Sequence, residues 1–340
     1  MSVLINAYST LRSPPAPEFP HLLLGVRNLS DPELAAHLEG FVGYVLNTGQ
    51  GQMTAVLYHV MRHIQRVQTQ FSLEVEEADL ARVAAWAEQA NAVCFWPDGT
   101  VRDPQGRVLV NPDGSGPGAQ AEVPYTPDAL ERRSRSEETL RQLGVRVPAS
   151  LPPVTGEQEA QWRSSNEVEA RATALFAAAV MAETRGSGDS LTVGDLEARL
   201  PGYRSALTPQ EQAFLDEPAS SPEQIAKFSW RYESLSLLQW ALSLKASLPL
   251  PTDICDVPEV ARLALDMAAG QAAPKLRNPA ELLDALDLTF RLHWAVRDAR
   301  LKEREAPAGL DGGVVFERHH TLNWLTRFEN EPWDEVDTPT

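Results

Sequence analysis

Cysteine is nearly absent. Only Cys94 and Cys255 occur in 340 residues, about 160 positions apart, which matches no zinc, iron–sulfur or redox spacing. They read as two buried thiols in a reducing compartment. Long apolar runs are also missing. The longest, "ALFAAAVMA" at 174–182, is far short of the roughly 20 residues a membrane span needs. The opening "MSVLINAYSTLRS" lacks the cationic start and apolar run of a signal peptide, so a soluble, cytoplasmic protein is expected. Positive charge is scarce: 30 Lys and Arg stand against 47 Asp and Glu, for a net −17. Such a chain repels phosphate backbones and anionic membranes, which argues against nucleic-acid or membrane partners unless a local basic patch evades the average. No Gly-x-Ser-x-Gly elbow occurs, and neither cysteine has a histidine close by in sequence.

What is present is the composition of an ordinary globular protein, 43% apolar and 23% charged, with length enough for two full cores. Residues 1–112 predict an α+β domain. "VLINAYST" (3–10) and "HLLLGVRN" (21–28) read as strands around the Pro-rich turn "SPPAPEFP". Asp31-Pro32 opens a helix to about Leu46, a second runs from about Gln52 to Arg66, and "TQFSLEV" (69–75) is a strand. An amphipathic helix at 77–90 precedes a hairpin whose turns are "PDG" and "DPQG". The pattern predicts a mainly antiparallel sheet with helices on one face.

Residues 113–127, dense in Gly and Pro, read as a linker. From 128 to 340 strand signals almost vanish, and helices are predicted at about 127–143, 156–185, 192–200, 208–216, 222–247, 256–270, 279–304 and 313–328. This second domain is expected to be an irregular all-α bundle. In "LTPQEQAFL" Thr208 caps a helix, Pro209 starts it and Glu211 supports its first turn.

Within the helix predicted at 282–301, Leu282, Leu286, Leu288, Leu292, Val296 and Ala299 point in nearly every direction, so it belongs in a core. One stripe interrupts it: Asp284, Asp287, Arg291, Trp294 and Asp298 fall within about 80° on a helical wheel. Spacing permits Asp287–Arg291 and Trp294–Asp298 contacts. Buried charges need partners. Glu233, in the greasy face of "FSWRYESLSLLQWALSL", and Glu317, beside Thr321, Trp324 and Phe328, are the carboxylates expected to converge on Arg291, with Arg318 the next available cation. Such a cluster is either a site with shifted carboxylate pKa values for acid–base work or an ion-pair network that fixes helix docking.

These residues resemble a known family. "FSWRYESLSLLQWAL", "LRNPAELLDALDLTFRLHWAVRDAR" and "VVFERHHTLNWLTRFENEPWDEVDTPT" are similar to the bacterial family known as domain of unknown function 4272. The likeness covers about residues 131–340, from "RRSRSEETLRQLGVRVPASLP" onward. One departure is Pro339, where the resemblance implies an acidic residue. The family name carries no activity, and residues 1–112 resemble no family.

Weaker candidates complete the reading. His59 and His63 have the i, i+4 spacing of a two-histidine metal face, but Val60 stands where a zinc protease has Glu, and a third ligand is missing. His319 and Asn323 are one turn apart in a packing or capping arrangement. "NTGQGQMT" (47–54) lacks the Lys-Ser/Thr of a P-loop and reads as a turn. Trp333, in the acidic segment 329–340, favours docking on its own domain. No cofactor and no metal is expected. The preferred expectation is a non-enzymatic interaction or regulatory module with a protein partner. The alternative is a hydrolase or transferase built on the carboxylate/Arg cluster, and exposure of that cluster to a cleft decides between them.

Overall fold

The computed structural model describes residues 1–49, 52–189, 191–217 and 219–340. The chain forms two compact units, residues 1–131 with 155–160, and residues 132–154 with 161–340.

The first unit is a six-stranded antiparallel sheet with helices. Its strands are β1 (Ser2–Ser9), β2 (Leu22–Asn28), β3 (Thr69–Glu76), β4 (Ala92–Phe95), β5 (Val101–Arg102) and β6 (Val108–Val110), in the spatial order β2-β3-β1-β4-β5-β6. The helices are α1 (Pro32–Thr48), α2 (Ala55–Gln65) and α3 (Leu80–Gln89). Asp31 and Thr54 cap α1 and α2 by accepting the Glu33 and Leu57 amides, which satisfies first-turn donors that have no intrahelical partner.

Helices cover both faces of this sheet, not one. Side chains alternate across a strand. Ile5 and Ala7 of β1 therefore join Phe71, Leu73, Val83 and Trp86 in the core under α3, while Tyr8 joins Phe41, Val45, Val60 and Ile64 under α1 and α2. Sequence showed β1 to be apolar at successive positions, and that is what a strand buried on both sides requires. The edge strand β2 keeps Leu22, Leu23, Leu24 and Val26 exposed, with a bulge between Leu23 and Gly25.

The residues after β4 form a three-strand meander. Gly99 and Gly106 sit at φ +81° and +80° in its two turns, a conformation that costs an L side chain energy. Asp103 is buried and holds this corner, accepting from the Arg107 amide at 2.9 Å, from Arg107 Nε at 2.6 Å and from the Glu122 amide at 3.3 Å. The Gly/Pro stretch is thereby tied to the first unit from Gly118, whose amide donates to the Val108 carbonyl, and Val123 enters the core.

The second unit is helical. It contains most of α4 (Pro127–Gln142), then α5 (Ser165–Ser187), α6 (Val193–Arg199), α7 (Pro209–Asp216), α8 (Pro222–Ser229), α9 (Arg231–Ala241), α10 (Val257–Ala268), α11 (Pro279–Leu301) and α12 (Gly312–Leu325). Ser/Thr capping boxes open α5, α6, α7 and α8. Two predicted helices differ. The one expected from residue 156 begins only at Ser165, because residues 155–160 belong to the first unit. The one expected over 222–247 turns at Trp230 and stops at Ala241, whose carbonyl is taken by the Arg277 amide.

Glu159 ties the returning segment 155–160 into the first unit. Its carboxylate accepts the Gly156 amide at 2.6 Å and lies 3.7 Å from Arg66, at 2% exposure. Removing one member of a buried pair leaves the other desolvated. A Glu159→Ala variant should lose about 3 kcal/mol of first-unit stability, measurable by urea unfolding, and an unchanged midpoint would contradict this role.

Candidate functional site

The stripe on α11 is real, but its members serve different ends. Asp287 and Arg291 are fully buried and form a two-pronged pair, Nε to Oδ2 at 2.8 Å and Nη2 to Oδ1 at 3.1 Å. Arg291 also donates to the Pro152 carbonyl at 3.1 Å and lies 3.9 Å from Glu137 of α4. One turn earlier, Asp284 receives Arg132 at 3.2 Å and Arg135 at 2.7 Å. These contacts dock α4 and the segment after it onto α11. Trp294 packs half-buried against the cluster of Leu140, Val145 and Leu292. Asp298 does not join it; it pairs near the helix end with Lys302 at 2.7 Å and Arg304 at 3.1 Å.

Glu233 and Glu317 do not meet Arg291. Glu233 is buried as expected, at 3% exposure, yet it accepts the Cys255 amide and forms no salt bridge among the described residues. Arg318 feels its field, but donates to the Pro249 carbonyl, and burial lowers the Arg318 pKa. Burial, with Glu233 beside it, pushes the Cys255 thiol up to about 12, and burial does the same for Cys94. Neither thiol is a nucleophile at neutral pH. The single three-helix centre expected from sequence is therefore two centres, because α12 packs against both α9 and α11 and each flank of it has its own partners.

The second centre involves residues that sequence left aside. Arg171 of α5 lies in a fork with Glu211 of α7, Nη1 to Oε2 at 2.8 Å and Nη2 to Oε1, and Nη1 also reaches the Ala206 carbonyl at 2.7 Å. Burial lowers the Arg171 pKa while Glu211 holds it up. Glu211 is 3.5 Å from Arg231 Nε, and Arg231 Nη1 is 3.7 Å from Glu317. Ser234 donates to Glu317 at 2.6 Å. Four helices thus share one alternating chain of charge, Arg171–Glu211–Arg231–Glu317. Trp333 lies against it, its ring 4.3 Å from the Arg171 guanidinium and 5.2 Å from the Trp324 ring.

This chain ends at a cleft of about 740 Å³, within the size range of small-molecule sites. Arg231 and Glu317 line it, with Trp230 and Phe316 as aromatic wall and His293 and His320 alongside. Burial, opposed by Arg231 and Ser234, raises the Glu317 carboxyl above its ordinary 4.5. His320 Nε2 sits 3.0 Å from the Trp333 carbonyl and donates to it, and His293 Nδ1 sits 2.8 Å from His319 Nδ1. Burial, with Arg297 near His293 and Arg231 near His320, brings both pKa values down to about 4. At neutral pH the two rings are uncharged hydrogen-bonding groups.

The remaining sequence candidates are placed elsewhere. His63 is fully buried and donates from Nε2 to the Tyr8 carbonyl at 3.0 Å, and burial takes its pKa to about 3. His59 instead faces Tyr125 at 3.1 Å. No group of three or more His, Cys, Asp or Glu side chains suited to a metal occurs among the described residues. Gln50 and Gly51 of the 47–54 loop lie outside the described residues. Asn323 donates to the Asp337 carbonyl at 2.8 Å, which with Trp333 pins segment 331–338 to α12. One signal for the missed centre was available. Arg171 is a cation at the start of an Ala-rich buried run, and a charge there needs a partner; only the fold supplies Glu211.

Fold and site together define a two-unit protein whose helical unit carries a cleft lined by charged and aromatic residues. Residues 132–336 match the family described as domain of unknown function (DUF4272), and the chain belongs to that family. Neither a curated protein nor a solved structure matches significantly.

Two expectations follow. Asp287→Ala should cost about 3–5 kcal/mol by stranding Arg291, whereas Asp298→Ala, at a solvent-exposed pair, should cost about 0.5 kcal/mol or less; chemical unfolding of both variants reads the contrast, and equal losses would refute the partition. The second concerns acid. His293 and His320 titrate below their ordinary 6.5 in the fold, so as pH falls the unfolded chain takes up protons first. Their contribution is complete above pH 6.5 and is lost on descending toward 4, at up to about 2 kcal/mol per pH unit for the two together. Glu317, shifted the other way, offsets part of this. Buried His63 of the first unit, also shifted down, adds to the slope of the whole chain, so the reading is the difference between wild type and His320→Gln from pH 7 to pH 4, expected to be about 1 kcal/mol per pH unit.

Proposed function

We propose that this chain is a non-enzymatic regulatory module whose helical unit holds a small ligand in the cleft beside Arg231 and Glu317, so that occupancy governs engagement of a protein partner. One observation carries the reading. Of the carboxylate/Arg cluster whose exposure separates the two readings, Glu317 alone lines the cleft, whose mixed aromatic and charged wall suits binding, whereas Asp287, Arg291 and Glu233 are sealed inside the core and held by partners there. In this reading the protein works in a bacterial cytoplasm, away from nucleic acids and membranes. The net charge of −17 supports that, as does the lack, among the described residues, of a helix long and apolar enough to cross a membrane.

A second reading, a hydrolase or transferase, is favoured by Glu317 alone. It lines the cleft with a raised pKa beside a cation and a hydroxyl, the setting of a general acid. Screening the full chain against chromogenic phosphate, acyl and glycosyl esters separates the two. The regulatory reading expects ligands that raise the unfolding temperature by about 5 °C at a hundredfold excess over Kd, with no turnover. Turnover abolished in Glu317→Gln would overturn it in favour of the enzyme.

A further inference from the structure

The cleft carries a charge balance opposite to that of the chain. Lys227, Arg231, Arg297 and Arg300 line it against only Glu317 and Asp334, in a protein of net −17. Two of the four are spent on neutral groups. Lys227 donates to the Gln210 amide oxygen, and Arg297 donates to Thr340 Oγ1 at 2.9 Å.

Arg231 is the informative one. Its side chain is 9% exposed, and its Nε is buried with no hydrogen-bond partner. Its two carboxylate contacts, at 3.5 and 3.7 Å, are longer than charge-assisted hydrogen bonds, which lie near 2.7–2.9 Å. A guanidinium has five donors, and desolvating them without acceptors is costly. Nε lies nearest the sealed Glu211, while Nη1 is the group that lies toward Glu317 at the cleft, at a separation a better-placed acceptor could close.

The apolar side of the cleft is also shaped. Trp230 lies against Gly313 at the start of α12, so closely that a Cβ at Gly313 would stand 2.4 Å from its ring. Glycine therefore lets the outer rim of the indole come up against the helix, and Phe316 lines the same cleft one turn on. An aromatic wall offers ring contacts to a planar ligand.

We propose that the cleft binds a small organic oxyanion, doubly charged and carried on a planar or aromatic body, with Arg231 as its buried anchor. The inference rests on reading the cleft as a binding site, and adds the ligand's chemical class. Two charges match the surplus of two cations over carboxylates among the lining residues. The organic body follows from the volume, since inorganic phosphate alone would leave most of about 740 Å³ to water. Planar guanidinium groups suit a phosphate ester or a dicarboxylate by the same bidentate geometry.

Isothermal titration of the full chain with phenyl phosphate, phthalate, inorganic phosphate and phenol tests this. Phenyl phosphate or phthalate should bind at least about tenfold tighter than phenol and tighter than inorganic phosphate, and added NaCl should weaken them. Arg231→Met should lose about tenfold or more. Because Arg231 also pairs with Glu211, the exposed Arg300→Gln serves as second variant: it should weaken phenyl phosphate several-fold with an unchanged unfolding temperature. Phenol binding as well as phenyl phosphate, unaffected by either variant, would overturn the oxyanion and leave a ligand cleft. No binding by any of the four at about 5 mM would overturn both.

Discussion

The organisation of the helical unit depends on one constraint: a guanidinium taken out of water must find a compensating group, a carboxylate for Arg171, Arg231 and Arg291 and a backbone carbonyl for Arg318. Arg171, on the Ala-rich helix α5, and Arg231, at the start of α9, are both more than nine-tenths buried. Glu211 lies between them with no exposure. A buried pair contributes little net stability over an apolar alternative, but breaking one is expensive. The arrangement therefore specifies which helices meet. α7 is short, and its capping-box glutamate doubles as the ion-pair partner of α5, since Glu211 accepts the Thr208 amide at 3.1 Å while holding Arg171. A local helix start and a long-range contact are thereby set by the same carboxylate.

The same logic separates structure from chemistry around α12. On one side, Asp287 and Arg291 form a two-pronged pair closed to solvent, with Arg291 Nη1 left 3.9 Å from Glu137. On the other, the chain of charge passes through Arg231 to Glu317 and reaches a cleft with its hydrogen bonding incomplete. Orphaned guanidinium nitrogens occur on both sides, at Arg291 Nη1 and Arg171 Nε as well as at Arg231 Nε, so it is the opening to a cleft, and not incomplete hydrogen bonding, that sets the second centre apart.

The neutral histidines fit this division. His293 and His320 lie beside cations that, with burial, depress their protonation, so the cleft's positive character at neutral pH rests on Lys and Arg. The aromatic residues connect the parts, with Trp333 lying against His320, Trp324 and Arg171. Segment 331–338 is thus part of the unit's packing.

Much was legible in the sequence because it rests on local rules. Helix starts at Asp31 and Thr208 follow from side-chain oxygens accepting first-turn amides, and the antiparallel sheet followed by helices follows from a change of apolar periodicity. The i, i+4 pairing of Asp287 with Arg291 was legible for the same reason, since both belong to one helix. What only the tertiary structure decided are contacts whose partners are far apart in the chain. Glu233 and Glu317 share a sequence context of Trp and Leu, yet one receives the Cys255 amide and the other Arg231. Residues 155–160 leave a predicted helix because Glu159 is held by Arg66 and Asn91 in the sheet unit. Periodicity reports which side of a helix is buried, but not which of several buried carboxylates stands within a few ångströms of a given arginine; packing makes that choice.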